Sequence, residues 1–245
     1  MPVQTVTQQV ETTPQPYTRL AGAAYLLIII AGLCGEMFIR GKIIVSGDAA
    51  ATAHNLIASE GLWRAGIAGD LLMHLLDILV MLVFYLLLRT VNKKLALMAL
   101  LFNLIQTAVL VANKITLLVP LFFLGNAAYL KAFSPQQLQA LAYTSIKAHD
   151  YGFGIGLIFF GFTCLLNGYL IRNSGFLPRF IGSLMQIAGA CYLINSVALI
   201  LDPSLASRLF PFILLPPFVA ELIFSLWLLI KGIDIAKWQE KASRW

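Results

Sequence analysis

Residues 62–88 read LWRAGIAGDLLMHLLDILVMLVFYLLL. A helix crosses a hydrocarbon core of ~30 Å with roughly 20 apolar residues, so this run is long enough to span a membrane. Three of its residues do not suit a lipid-facing helix: Asp70, His74 and Asp77. Their i, i+4, i+7 spacing places them on one narrow helix face, and Trp63 and Met81 extend the same stripe. An ionised side chain facing lipid at the bilayer centre costs about 3 kcal/mol. The stripe therefore predicts a helix that turns its polar face toward the other helices of a bundle.

The rest of the chain supplies those helices. It has 245 residues, 60% of them hydrophobic and only 11% charged, and its mean hydropathy is +0.85. A soluble domain carries about 25% charged residues, so this composition excludes a water-soluble fold. Six runs are expected as spans: Leu20–Ile39, Leu62–Leu88, Leu95–Leu124, Tyr151–Ile171, Phe180–Leu201 and Phe210–Ile230. The expected fold is all-α, a polytopic integral membrane protein built as a six-transmembrane-helix bundle. Residues 1–18, rich in Thr, Gln and Pro, are expected as a disordered tail, 19–235 as the bundle and 236–245 as a basic tail. Only Arg19 lies just ahead of the first run and no small-residue cleavage site follows it, so that span is expected to be retained. Cys34, Cys164 and Cys191 all fall within apolar runs and are expected as small buried hydrophobes rather than a disulfide framework.

Orientation follows from the lysines and arginines of short loops. One side collects Arg19, Arg89, Lys93, Lys94, Arg172, Arg179, Lys231, Lys237, Lys241 and Arg244; the other collects Arg40, Lys42, Arg64, Lys131, Lys147 and Arg208. Ten against six predicts that both termini are cytoplasmic, in a plasma membrane. Trp238 and Trp245 then suit the cytoplasmic interface and Trp63 the outer one. The net charge of +6 sits at span ends, which favours anionic lipid headgroups as partners and no nucleic acid.

Local signals elaborate the outer face. Asp48 is placed to cap a short alanine-rich helix. Ser134, Pro135 and Gln137 form a capping-box pattern, and Leu138, Leu141 and Ala142 give the helix that follows an apolar stripe, expected to lie on the outer membrane surface. Pro120 and the pair Pro216–Pro217 are expected to interrupt spans three and six and to free backbone carbonyls. Gly152, Gly154, Gly156 and Gly161 predict close helix packing of span four.

At 1.5 Å per residue, the remaining polar groups fall at similar depth. Glu36, Asp70, His74, Lys114, His149, Asp150, Asn195 and Glu221 all map to the outer half, with Asp77 near the middle. They predict a polar pocket open to the outer face. Three chemistries fit it. A small polar or amphiphilic molecule could bind or cross there, with proton coupling through Asp70, His74 or Glu221. His74 with Asp70, Asp77 and His149 offers imidazole and carboxylate ligands for zinc, which would make the protein a metal-dependent intramembrane hydrolase acting on lipid. No HExxH or paired-histidine motif accompanies them, so the expectation is no cofactor, with zinc as the alternative. Third, Lys114 could pair with Glu36 or Asp70, and His74 with Asp77, as a structural ion-pair network in an accessory subunit. Whether the chain is an enzyme, and whether it forms a homo-oligomer, stays open at this level.

Several separated stretches carry a resemblance. RLAGAAYLLIIIAG (19–32), GDAAATAHNLIASEGLWRAGI (47–67), GDLLMHLLDILVMLVFYLLLR (69–89), the segment from Ala148 to Leu184 and AGACYLI (188–194) resemble the bacterial and archaeal membrane family called domain of unknown function 4386. The resemblance covers about residues 18–235. It implies a multi-pass bacterial or archaeal membrane protein and assigns no activity, ligand or catalytic residue.

Overall fold

The structure, a computed structural model, describes residues 13–243. It is helical, with no strand among the described residues. Six helices are long and apolar enough to cross a membrane. They are α1 (Gln15–Ile43), α3 (Glu60–Leu88), α4 (Lys93–Phe123), α5 (Pro135–Ser174), α6 (Arg179–Leu201) and α8 (Phe212–Ile230). Three shorter helices are α2 (Ala49–Ala58), α7 (Pro203–Leu209) and α9 (Ile235–Ala242). This is a multi-pass membrane protein.

Each span packs against its neighbours in sequence, and α8 closes back onto α1 to complete a ring. Small residues make that closure. Ala21, Gly22 and Ala24 of α1 are buried, and a Cβ on Gly22 would lie 2.5 Å from the Leu229 backbone nitrogen. Without a hydrophobic drive between helices in lipid, such close backbone approach is what holds spans together. The tightest pair is α5 with α6, where Gly168 faces Gly182 and Gly161 faces Gly189, each glycine within 3.0 Å of the opposing carbonyl when given a Cβ. Tyr25, Phe84 and Phe224 fill the ring's centre as a cluster of edge-on and tilted rings.

The first and last of the described helical segments meet at one end of the ring. Gln15 Nε2 donates to the Lys231 carbonyl at 3.0 Å and Gln15 Oε1 accepts from the Ile233 amide at 3.1 Å. Here α9 folds back: Asp234 N–H bonds the Phe176 carbonyl at 3.0 Å, and Trp238 Nε1 bonds the Leu87 carbonyl at 3.3 Å. This end is called the terminal end below, and the other, which holds α2 and the start of α5, the far end.

The expected caps form. Asp48 accepts from the Ala51 amide at 2.8 Å, and Ser134 and Gln137 close a reciprocal capping box behind Pro135. Other expectations are corrected. The helix after Ser134 is no separate surface helix but the first part of the single 40-residue α5. The chain turns helical at Gln15, inside the stretch expected as tail, and residues 236–242 of the expected basic tail belong to α9. Residues 1–12, Arg244 and Trp245 lie outside the described residues. Trp63 is no interfacial anchor: it is 2% exposed and its indole N–H bonds the Leu117 carbonyl at 2.8 Å. Cys164 is buried as expected, but Cys34 lies on the exposed face of α1. Pro216 and Pro217 do not break a span; they sit in the first turn of the helix Leu215–Ile230, where amides lack intrahelical partners in any case. Pro120 does free the Thr116 carbonyl, but Ser145 Oγ bonds it at 2.7 Å, so it is buried in protein rather than lining a pocket.

Candidate functional site

The polar stripe of α3 faces inward. Asp70 and His74 are 2% and 6% exposed, whereas Leu72 and Leu75 on the opposite face are 58% and 65% exposed. That contrast makes sense only if the outer face meets lipid and the inner face meets protein. The stripe then meets different partners at different depths, and the expected single pocket resolves into two tiers.

The tier nearer the far end is an ion cluster. Asp70 Oδ2 accepts from Arg40 Nη1 at 2.9 Å and from Lys114 Nζ at 2.8 Å. Arg40 Nε in turn donates to Glu36 at 2.7 Å. Two carboxylates and two cations from α1, α3 and α4 thus balance, from the exposed Glu36 inward to the buried Lys114. The local backbone explains the reach of each group. Residues 35–40 of α1 form a π-helical turn, a deviation found often at functional positions. A Cβ on Gly35 would lie 3.1 Å from the Arg40 guanidinium and 3.6 Å from Asp70, so glycine there leaves room for Arg40 to fold back onto Asp70. Lys114 sits at the joint where Lys93–Asn113 gives way to Ile115–Phe123. Arg40 was legible only as a loop cation; the i, i+4 relation to Glu36 was the available signal.

His74 and His149 are both buried, and the Nε2 of each lacks a hydrogen-bond partner among the described residues. His74 does not bond Asp77, as the structural network expected. His149 stacks on Phe153, and its carbonyl accepts from Asn113 Nδ2 at 2.9 Å. Asp150 lies outside the cluster, exposed and 3.4 Å from Lys147. Asn195 is half-buried on α6 and joins neither tier. No three His, Cys, Asp or Glu side chains come together as a metal-holding group among the described residues, so His74, Asp70, Asp77 and His149 do not converge on one zinc position.

The second tier is at mid-depth. Thr107 Oγ1 and Asn103 Nδ2 donate to Asp77 Oδ2, the latter at 3.1 Å. Asp77 has no ion pair among the described residues. It borders a cavity of about 30 Å³ whose wall includes Tyr25, Tyr85, Asn103 and Asn167. A space of that size holds about one water. Residues 77–85 of α3 and 96–103 of α4 line it, so it lies on the terminal-end side of Asp77, not on the far side where the sequence placed the pocket. On the far side Glu36, Arg40, Asp70 and Lys114 are instead packed against one another. Glu221 belongs to this middle tier as well: Tyr192 donates to its carboxylate. Tyr25 lines the Asp77 cavity and packs edge-on against Phe224, on the same helix as Glu221. Tyr25 and Tyr192 were readable only as packing aromatics, because no periodicity connects three separate helices.

The family model described as Domain of unknown function (DUF4386) matches residues 20–232. The chain belongs to that family. A protein of Archaeoglobus fulgidus named "Uncharacterized protein" is 28% identical over 176 residues, covering 70% of this chain and 86% of that relative. No solved structure matches. The DUF4386 match includes both tiers and stops before α9.

Proposed function

We propose that this DUF4386 protein binds a small polar or amphiphilic molecule beside Asp77 and moves it across the plasma membrane with a proton carried by that carboxyl. One observation carries this: at mid-depth, Asp77 faces a cavity with two hydrogen-bond donors and no cation among the described residues. Carboxyls without counter-ions inside a membrane bundle are characteristic of proton relays. The asparagine and tyrosine groups around it add the few convergent polar contacts that a small-molecule site uses. At about 30 Å³ the cavity holds about one water, so binding a larger molecule would require α3, α4 and α5 to part. With both termini cytoplasmic, as the lysine and arginine distribution indicates, the Arg40–Asp70–Lys114 cluster closes the outer end.

The test uses dicyclohexylcarbodiimide, an apolar reagent that modifies protonated carboxyls, on the full chain in liposomes. Asp77 should be labelled, more strongly as pH falls because the reagent modifies only the protonated carboxyl, and Asp77→Asn should abolish that label. Liposomes holding the protein should also take up ethidium, an amphiphilic cation, when a pH gradient is imposed, and the Asp77→Asn protein should not. An unlabelled Asp77 at every pH, together with ethidium uptake equal to that of empty liposomes, overturns the proposal.

The balanced cluster Glu36–Arg40–Asp70–Lys114 favours a second, structural role for the outer tier, because it is complete without any ligand. That role matches the accessory-subunit alternative and coexists with transport through the middle tier.

A further inference from the structure

At the terminal end a cleft opens between α5, α6 and α9. Its volume is about 500 Å³, and Arg172, Asn173, Ser174, Gly175, Arg179 and Lys241 line it. Three cations from three helices meet there, and the lining includes no carboxylate. None of the three is in an ion pair among the described residues. Arg172 Nη1 donates to Ser183 Oγ at 2.9 Å and Lys241 Nζ donates to the Asn173 carbonyl; the other guanidinium donors of Arg172 remain available.

The convergence is built rather than incidental. Lys241 lies three residues after Trp238, hence on the same face of α9, and both are half-buried against the bundle. The Trp238–Leu87 bond fixes that face inward. Lys241 thus brings a third cation to a cleft lined by two arginines, a concentration of like charge that an anion would relieve. Gly175, in the left-handed region at φ 77°, ends α5 and turns the chain toward α6, so that Arg172 and Arg179 both line the cleft.

We propose that this cleft is a binding site for the phosphate of an anionic phospholipid. The geometry favours lipid over soluble phosphate because the cleft sits where spans α5 and α6 leave the membrane. Tyr169, one turn before Arg172, is 50% exposed on the lipid-facing surface, the position at which tyrosine marks a headgroup level. Basic clefts between spans at such an end are suited to anionic headgroups, and guanidinium groups take phosphate oxygens two at a time. The third cation, Lys241, comes from α9, which lies beyond the family match.

Native mass spectrometry of the delipidated full chain in detergent tests this, with phosphatidylglycerol and phosphatidylcholine of identical acyl chains as probes. One phosphatidylglycerol should bind in preference to phosphatidylcholine. Arg179→Gln with Lys241→Gln should weaken that binding about thirtyfold, as expected for two juxtamembrane cations, and Arg179→Lys with Lys241→Arg should retain it. Lys93→Gln with Lys94→Gln removes two exposed cations at the same end, away from the cleft, and should leave binding unchanged. Equal binding of the two lipids, or equal loss in the Lys93/Lys94 variant, overturns the site. Displacement of phosphatidylglycerol by millimolar inorganic phosphate overturns the lipid as its occupant.

Discussion

Replacing Asp70 with asparagine removes the single anion that Arg40 and Lys114 share. Lys114 is 7% exposed and its ammonium has no other carboxylate within ion-pair distance among the described residues. Removing one partner of a buried pair costs about 3–5 kcal/mol, because the other charge is left uncompensated. Lys114→Met has a different outcome. Asp70 keeps Arg40 at 2.9 Å, no charge is orphaned, and the loss is that of one charged hydrogen bond, about 1.5–3 kcal/mol. In the double variant Asp70→Leu/Lys114→Met, Arg40 retains Glu36 at 2.7 Å and an apolar pair fills the site. Such replacements are often neutral, so the double variant should be more stable than Asp70→Asn alone.

For a chain of this size, 1 kcal/mol shifts the midpoint by roughly 2–4 °C. Asp70→Asn should therefore unfold about 6–20 °C below the wild type. A thiol-reactive dye in detergent reads this in a Cys34→Ser/Cys191→Ser background, since the remaining Cys164 is 1% exposed and reacts only when the core opens. An Asp70→Asn midpoint within about 2 °C of the wild type, or a double variant less stable than Asp70→Asn, refutes the picture of one anion compensating the buried Lys114.

Three further outcomes follow from the same structure. Ser145→Ala strands the Thr116 carbonyl that Pro120 frees and should cost about 1–3 kcal/mol; adding Pro120→Ala restores an amide to that carbonyl and should recover most of the loss in the same dye assay. Gly182→Ala drives a Cβ to 2.5 Å from the Gly168 carbonyl, with backbone on both sides, and should cost about 1–3 kcal/mol, whereas Gly69→Ala meets nothing within 4 Å and should leave the midpoint unchanged or raised. Asp234 caps α9: the Lys237 ammonium at 3.0 Å, and then the Lys237 amide, hold its carboxyl below the ordinary carboxylate range. A depressed folded value means that the cap's contribution is present above the unfolded pKa of about 3.9 and is lost as pH falls through the folded one. Hydrogen exchange over residues 235–242, corrected for the intrinsic rate, should therefore accelerate on acidification below about pH 4, and Asp234→Asn should remove that dependence.

Much of the molecule is set by local chemistry and is legible in the chain. Apolar run length sets six spans, because a hydrocarbon core accepts nothing else at that composition. The i, i+4, i+7 spacing of Asp70, His74 and Asp77 sets the inward face of α3, because an ionised group cannot face lipid cheaply. Caps such as Asp48 and Ser134 are settled within four residues of backbone.

Partner choice between spans is not local, and there tertiary structure decided. Arg40 reads as a loop cation, yet a π-helical turn and Gly35 carry it back to Asp70. Glu221 shares a nominal depth with Asp70, but the packing of α8 against α6 delivers it to Tyr192 instead. The carbonyl freed by Pro120 was satisfied by Ser145, a residue 29 positions away. The cavity lies on the terminal-end side of Asp77 because the charges on the other side neutralise one another and pack, while Asp77, lacking a cation, is left beside open space. The sequence determined which groups had to leave the lipid; only the ring of helices decided which of them met.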